Sequence, residues 1–414
     1  MDQRAVKKIL ADTAYIRVSG TAEEARCAEY ILDRCGQLGL HARLEHFPVN
    51  VYTAEAERLT VAGRDIPCRS YWGCADADVS APLIYLDSFD PAGLKRCRDR
   101  IVLLDGAMTP ERWDLLADHG ALGFITYGGA PHLPDRDIDR KWLDFEPRRP
   151  APIVHIHACD AARLADLSGK PAHIALTQTV SVGQSRNVIL DLPGQMDETV
   201  TVCAHYDSTP LSPGAYDNMS SCIVLLYLAE YFAARPHRRG IRLLWCGSEE
   251  PGLVGSLYHC SHNSADMART ILNINLDMLG CAMGEFTAFS CANEELGEFM
   301  RAFLRRRRFP GAVRCAIRSS DSNSFVRYGV PAVSFARYAP AGMAPIHTRC
   351  DTAAVVSPAR LLKEAGLIAA FTAYMADTEE FPFPLAVCDK IRGDVETYMK
   401  YRPRPVRGDG GGAK

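Results

Sequence analysis

Three apolar runs in this chain end in residue types that bind metals or move protons. Residues 199–204 lead into His205-Tyr206-Asp207-Ser208, 241–246 into Gly247-Ser248-Glu249-Glu250, and 271–276 into Asp277. One polar strand end means little, but three in one chain point to a shared site, because α/β sheets carry their chemistry at strand C-termini. His205 and Asp207 are spaced i, i+2 and can share one face of an extended segment. A carboxylate so placed can set the tautomer of the imidazole while the other ring nitrogen binds a metal. Gly214-Ala215-Tyr216-Asp217-Asn218 gives a small-residue approach to a carboxylate just before a helix, which can bring Asp217 beside His205. The paired Glu249 and Glu250 follow a run, 243–246, that reads as buried, where unpaired carboxylates are expensive. A bound dication relieves that cost. One glutamate of the pair can then ligate while the other takes a proton from the attacking water. His347, followed by Thr348 and Asp351, supplies the second imidazole that a two-metal site requires.

Residues this far apart need a scaffold. After Gln184 the sequence alternates between strand and helix patterns. Strands are expected at 187–192, 199–204, 241–246, 271–276 and 332–335, and helices at 220–234, 293–305 and 358–376. Such alternation implies an α/β sandwich. Thr21 and Glu24 have capping-box spacing ahead of the periodic Ala28, Ile31, Leu32 and Cys35, which marks an earlier helix start. Between them the texture changes. Short β-rich runs at 83–86, 101–104, 122–127 and 152–156, with one clear helical stretch at 110–119, read as a separate, mostly β insert. The expected organisation is therefore 1–47 as the N-terminal helical part of the catalytic domain, 48–180 as the insert and 181–400 as the main catalytic domain. Residues 401–414, with Pro, Arg and a glycine run, read as a disordered tail.

Composition limits the partners. The 414 residues exceed what one core usually supports, and the formal net charge of -3 argues against a general grip on nucleic acid or an anionic membrane. The basic run Arg305 to Arg308 reads as a solvated helix end. The first ten residues are charged and show no secretory signal, and no run is long enough to span a bilayer. The 15 cysteines are odd in number and scattered, without a C-x-x-C pair, so they read as small core residues in a reducing, cytoplasmic compartment. His155 and His157 are spaced like ligands on a strand, but no third ligand stands near them in sequence, and a structural role is expected.

Taken in order, these segments resemble the M28 family of co-catalytic zinc peptidases. The resemblance rests on His205-Tyr206-Asp207-Ser208, Gly214-Ala215-Tyr216-Asp217-Asn218 and Glu249-Glu250-Pro251-Gly252-Leu253-Val254-Gly255-Ser256. It continues through Asp277-Met278-Leu279-Gly280, Ser320-Asp321-Ser322-Asn323-Ser324-Phe325 and His347-Thr348-Arg349-Cys350-Asp351. It spans about residues 184–376, and Ser19 to Glu24 resembles the family's opening helix. The resemblance implies the zinc-dependent exopeptidase fold, a mixed β-sheet sandwiched between helices, and two Zn²⁺ per chain. His205 and Asp277 would bind one ion, Glu250 and His347 the other, and Asp217 would bridge them. Asp207 would orient His205, and Glu249 would be the general base. It also implies a cis peptide between Asp217 and Asn218. Imidazole and carboxylate ligands suit zinc on chemical grounds too. Two positions depart from the pattern: Ser221 stands where many relatives have Gly, and Ile346 where some have Tyr. The insert is similar to a protease-associated domain, through residues 98–106 and 117–125. The expected activity is removal of N-terminal residues from peptides. A carboxypeptidase, a glutaminyl-cyclase-like transferase using one zinc, and a non-catalytic binding member are the alternatives. A carboxypeptidase would need a cationic clamp, for which Arg337 and Arg349 are the candidates. Phe325, Phe335, Tyr338 and Ile346 could line a pocket. Oligomeric state is not readable.

Overall fold

Alternation along the central strands decides how they are covered. In Met196–His205, Val200, Val202 and Ala204 pack on one side and Cys203 on the other. In Arg239–Cys246, Ile241, Leu243 and Trp245 join the first set, and Leu244 and Cys246 the second. Both faces are apolar, so the sheet needs cover on both sides. The computed structural model describes residues 1–132 and 136–400 together with Arg402 and Val406, and it supplies two helical layers. Gln3–Thr13, Ala22–Gln37, Ser220–Phe232, Glu294–Arg306 and Pro358–Asp377 pack on the first face. Val254–His262, Ser322–Arg327 and Asp389–Met399 pack on the second. Ser220–Phe232 is apolar on nearly all sides and buries ten of its 13 residues, as a core helix must.

The strand order is Ala312–Cys315, Glu285–Cys291, Ala332–Tyr338, Thr270–Leu276, Met196–His205, Arg239–Cys246 and then the C-terminal part of Pro171–Leu192. The four from Ala332–Tyr338 to Arg239–Cys246 are parallel, and each outer neighbour of this set runs antiparallel to it. The result is a mixed sheet between helices. Its parallel strands bring His205, Cys246, Leu276 and Tyr338 to one edge, where the candidate residues follow. Upstream, the Thr21 hydroxyl caps Ala22–Gln37 by accepting from Glu24 N at 3.3 Å, while the Glu24 carboxylate reaches back to Gly20 N at 2.7 Å. Arg305 to Arg308 are exposed at the end of Glu294–Arg306.

The described residues divide into two compact units, residues 1–49 with those from 183 to 402, and residues 50–182. Both junctions between the units lie inside continuous strands, Arg43–Val61 and Pro171–Leu192. The expected tail, 401–414, lies almost entirely outside the described residues. In the second unit Ala77–Leu86, Ile101–Leu104, Gly123–Gly128 and Ile153–His157 pair in parallel. Three short helices, Pro91–Lys95, Pro110–Asp118 and Ala158–Ala165, accompany them. Within this unit His155 is buried with its Nδ1 2.9 Å from Thr126 Oγ1, and burial pushes the imidazole down to about 3. His157 caps Ala158–Ala165 by accepting from Cys159 N. Each histidine thus makes a hydrogen bond within this unit, as a structural role requires.

Candidate metal centre

The strand edge assembles all seven sequence-selected residues. His205 is the last residue of its strand, and its Nε2 lies 3.2 Å from Asp217 Oδ1 and 3.7 Å from Asp277 Oδ1. His347 Nε2 lies 3.2 Å from Asp217 Oδ2 and 3.2 Å from Glu250 Oε2. The two carboxylate oxygens of Asp217 therefore face two different imidazoles. Two groups of ligand atoms, His205 with Asp217 and Asp277 and Asp217 with Glu250 and His347, are each compact enough to hold an ion and share Asp217. Glu249 is the near neighbour, its Oε2 4.0 Å from His205 Nε2.

Local structure explains the placement. Gly214 adopts φ 58°, ψ 42°, and a Cβ there would come within 2.7 Å of the Asp217 carbonyl and of the Ser208 side chain. Only glycine allows the chain to double back so tightly toward His205. Asp351 then fixes the arriving segment by accepting from Tyr216 N at 2.7 Å and Asp217 N at 3.0 Å. The Asp217–Asn218 peptide is cis, as the resemblance implies. Asn218 ties the turn to the next strand, donating to Leu276 O and accepting from Met278 N on either side of Asp277. Asp207 is fully buried and accepts from Glu249 N and Glu250 N at 2.9 and 3.1 Å, with its Oδ1 3.4 Å from His205 Nδ1. It thus orients a histidine and anchors the glutamate pair at once. His347 and Ser248 sit at φ 59° and 55°, left-handed conformations that non-glycine residues hold only when their surroundings enforce them.

The charge balance of the cluster bears on what it can hold. The ion pairs of Asp217, Glu250 and Asp277 are with the two histidines. Burial alone would lower both imidazoles. Glu249, Asp207, Asp217 and Asp277 around His205, and Glu250 and Asp217 around His347, instead hold them well above the usual range. Burial pushes Glu249, Glu250 and Asp277 up, whereas Asp217, against the pull of burial, is held down by both histidines. Five carboxylates, Asp207, Asp217, Glu249, Glu250 and Asp277, thus face two imidazoles, and the cluster as a whole draws positive charge. Glu250 Oε1 is buried without a hydrogen-bond partner, a state that buried polar atoms rarely tolerate. Imidazoles and carboxylates in excess of cations fit a pair of dications.

Sequence reasoning missed the residues that brace the site. Arg17, fully buried, donates to the carbonyls of Thr13, Tyr15, Tyr206, Pro213 and Gly214. Glu24, also fully buried, accepts from Ser185 Oγ and from both Ser248 N and Ser248 Oγ. Burial, with Asp207 nearby, pushes the Glu24 carboxyl up to about 8. Asp351 had a signal, since it closes the quoted His347 motif, but no role was assigned to it. Arg337 is a correction. It pairs with Glu364 of Pro358–Asp377 and donates to Gly284 O, so its guanidinium is already engaged within the core. Phe325 and Phe335 are core residues rather than pocket walls, whereas Tyr338 and Ile346 are half-buried. Ser221 is buried in the first turn of Ser220–Phe232.

Comparison with known proteins gives a consistent picture. A model described as Peptidase family M28 matches residues 187–372. Aminopeptidase YwaD of Bacillus subtilis is 30% identical over 284 residues, covering 64% of this chain and 58% of that protein. The probable lipoprotein aminopeptidase LpqL of Mycobacterium tuberculosis is 27% identical over 278 residues, 64% of this chain and 55% of its own length. The chain thus matches little more than half the length of these relatives. Among solved structures, BSAP, a zinc aminopeptidase from Bacillus subtilis, superposes with a TM-score of 0.76 at 25% identity, covering 92% of this chain and 97% of its own.

Proposed function

We propose that this chain, whose residues 187–372 match a model described as Peptidase family M28, is a two-zinc aminopeptidase that releases single residues from the free N-termini of peptides. The observation that carries the reading is Asp217, whose two carboxylate oxygens each lie 3.2 Å from a different imidazole. His205 and Asp277 would hold one zinc, Glu250 and His347 the other, and Asp217 both. Complete ligand sets for two ions favour this reading over a one-zinc transferase. Zinc, when bound, polarises a carbonyl and makes a water more acidic.

The chain's own residues do the rest. Asp207 holds His205 and the backbone of the glutamate pair in register. Glu249 is anchored by its backbone beside the ligands, and burial raises its affinity for a proton. It takes the proton of the attacking water and returns it to the leaving amine. The surrounding carboxylates offer acceptors for a protonated α-amino group. Of the two arginines that a carboxypeptidase could use as a clamp, Arg337 is spent on Glu364. The test is a digest of a six-residue peptide by zinc-loaded protein, followed by mass spectrometry. Single residues should leave from the N-terminus, N-acetylation should abolish cleavage, and C-terminal amidation should leave the ladder intact. Loss of residues from the C-terminus, or cleavage of the acetylated peptide, refutes the reading.

A further inference from the structure

Strand alternation separates two arginines that sequence alone does not distinguish. Leu276 and Phe335 are register partners on the face packed by Pro358–Asp377. The ladder continues with Asp277 N donating to Phe335 O and Arg337 N donating to Met278 O. Arg337 shares the face of Phe335, which is why it meets Glu364. Tyr338, one residue on, shares the opposite face with Ala336 and Asp277. Phe289, the register partner of Ser334, lies on that face too, and its ring meets Tyr338 edge-on with centroids 6.1 Å apart.

Over these two rings lies Arg318. Its guanidinium carbon is 5.4 Å from the Phe289 centroid and 5.2 Å from that of Tyr338, and its Nε donates to Tyr338 Oη at 3.3 Å. The two rings and the phenol hold the guanidinium through its face and its Nε, while its terminal nitrogens keep their donors for another partner. Arg318 is exposed, and among the described residues its guanidinium meets a phenol and two rings but no carboxylate. Its backbone is held as well. Asn323 Nδ2 donates to Arg318 O at 2.6 Å, and in the same helix Ser324 Oγ lies 2.8 Å from Ser256 Oγ of Val254–His262, the helix that follows Glu250. Tyr338 ends the strand paired with the one that leads into Asp277, so Arg318 stands on the side of the sheet toward which Asp277 alternates.

We propose that Arg318, seated on Tyr338 and Phe289, is a specificity-determining residue that binds a substrate carboxylate close to the scissile bond. This rests on the aminopeptidase reading and narrows its substrate class to short or acidic peptides. The carboxylate can be the C-terminus of a dipeptide or the side chain of an N-terminal glutamate. The amine is drawn to the acidic cluster and the carboxylate to Arg318, which fixes the substrate at both ends.

Three substrates test it with zinc-loaded wild type and Arg318→Gln: an alanyl dipeptide, its C-terminal amide, and the corresponding glutamyl dipeptide amide. The variant should lose about tenfold or more in kcat/KM, through KM, on a carboxylate-bearing substrate. It should cleave the neutral amide as wild type does. A loss confined to the free dipeptide identifies the C-terminus, and one confined to the glutamyl amide identifies the side chain. Unchanged ratios among the three, or an equal loss on all of them, overturn the proposal while leaving the aminopeptidase reading standing. Cleavage of none of the three by wild type overturns both.

Discussion

Glu249 and Glu250 are adjacent, share one anchor in Asp207, and are expected to fail in different ways. Glu250 faces His347 at 3.2 Å with its second oxygen buried and unpartnered, as a ligand would be, while Glu249 stands 4.0 Å from His205 and outside both ligand groups. Glu249→Gln keeps the shape and removes the proton acceptor. Turnover should fall by about a hundredfold or more, with zinc content unchanged by elemental analysis. Glu250→Gln should instead weaken zinc binding, by more than the roughly 10–100-fold typical of losing an outer partner. Near-normal turnover in Glu249→Gln would show that another group takes the proton. The clustering of these histidines and carboxylates was readable because such residues at the ends of apolar runs have no cheap structural explanation. Arg17 and Glu24 were not readable, because a buried charge and a surface charge look alike until the fold covers them. The alternate-face rule could have excluded Arg337 as a clamp, since it lies two residues from the core residue Phe335.

At the scale of elements, the N-terminal segment acts as a brace. The turn between Gln3–Thr13 and Ala22–Gln37 carries Arg17, which gathers carbonyls on both sides of the loop from Tyr206 to Gly214, and the second helix carries Glu24, which holds Ser248 just before the glutamate pair. Glu24→Ala would strand the backbone N–H of Ser248 and its hydroxyl together with the Gly20 N–H. Each buried donor left unpaired costs about 1–3 kcal/mol. The variant should melt several degrees lower and lose turnover more than substrate affinity. Glu24→Gln, which keeps one carbonyl acceptor toward Ser248, should fall between it and wild type. Wild-type turnover in Glu24→Ala would show the brace to be dispensable. The capping-box spacing of Thr21 and Glu24 located this helix in sequence, but the same carboxylate also serves Ser248 and Ser185, which local spacing does not reveal. Strand lengths were the weakest expectation. Residues 187–192 were read as a whole strand, yet Pro171–Leu192 runs unbroken through Gly183 and Gln184, because pairing along the sheet outweighs local preference.

For the whole molecule, the sheet edge gathers one site from residues 205 to 347, and the order of the parallel strands makes this possible. Met196–His205 sits between Arg239–Cys246 and Thr270–Leu276, so ligands from three consecutive strand ends converge without long loops. The sandwich was legible from the alternation of patterns. The antiparallel Glu285–Cys291 and the short Ala312–Cys315 were not, since neither carries a residue that stands out. The strands that join the two units, Arg43–Val61 and Pro171–Leu192, run unbroken through the junctions, so no loop marks them in sequence. The cluster is short of positive charge as a unit, which makes metal content the most direct measurement. Zinc should be titrated into metal-free protein, with bound zinc and peptidase activity followed together. Two ions per chain at saturation are expected, with Asp217→Asn weakening both, because its two oxygens serve both positions. One tightly bound zinc at saturation with full activity would contradict the two-zinc centre.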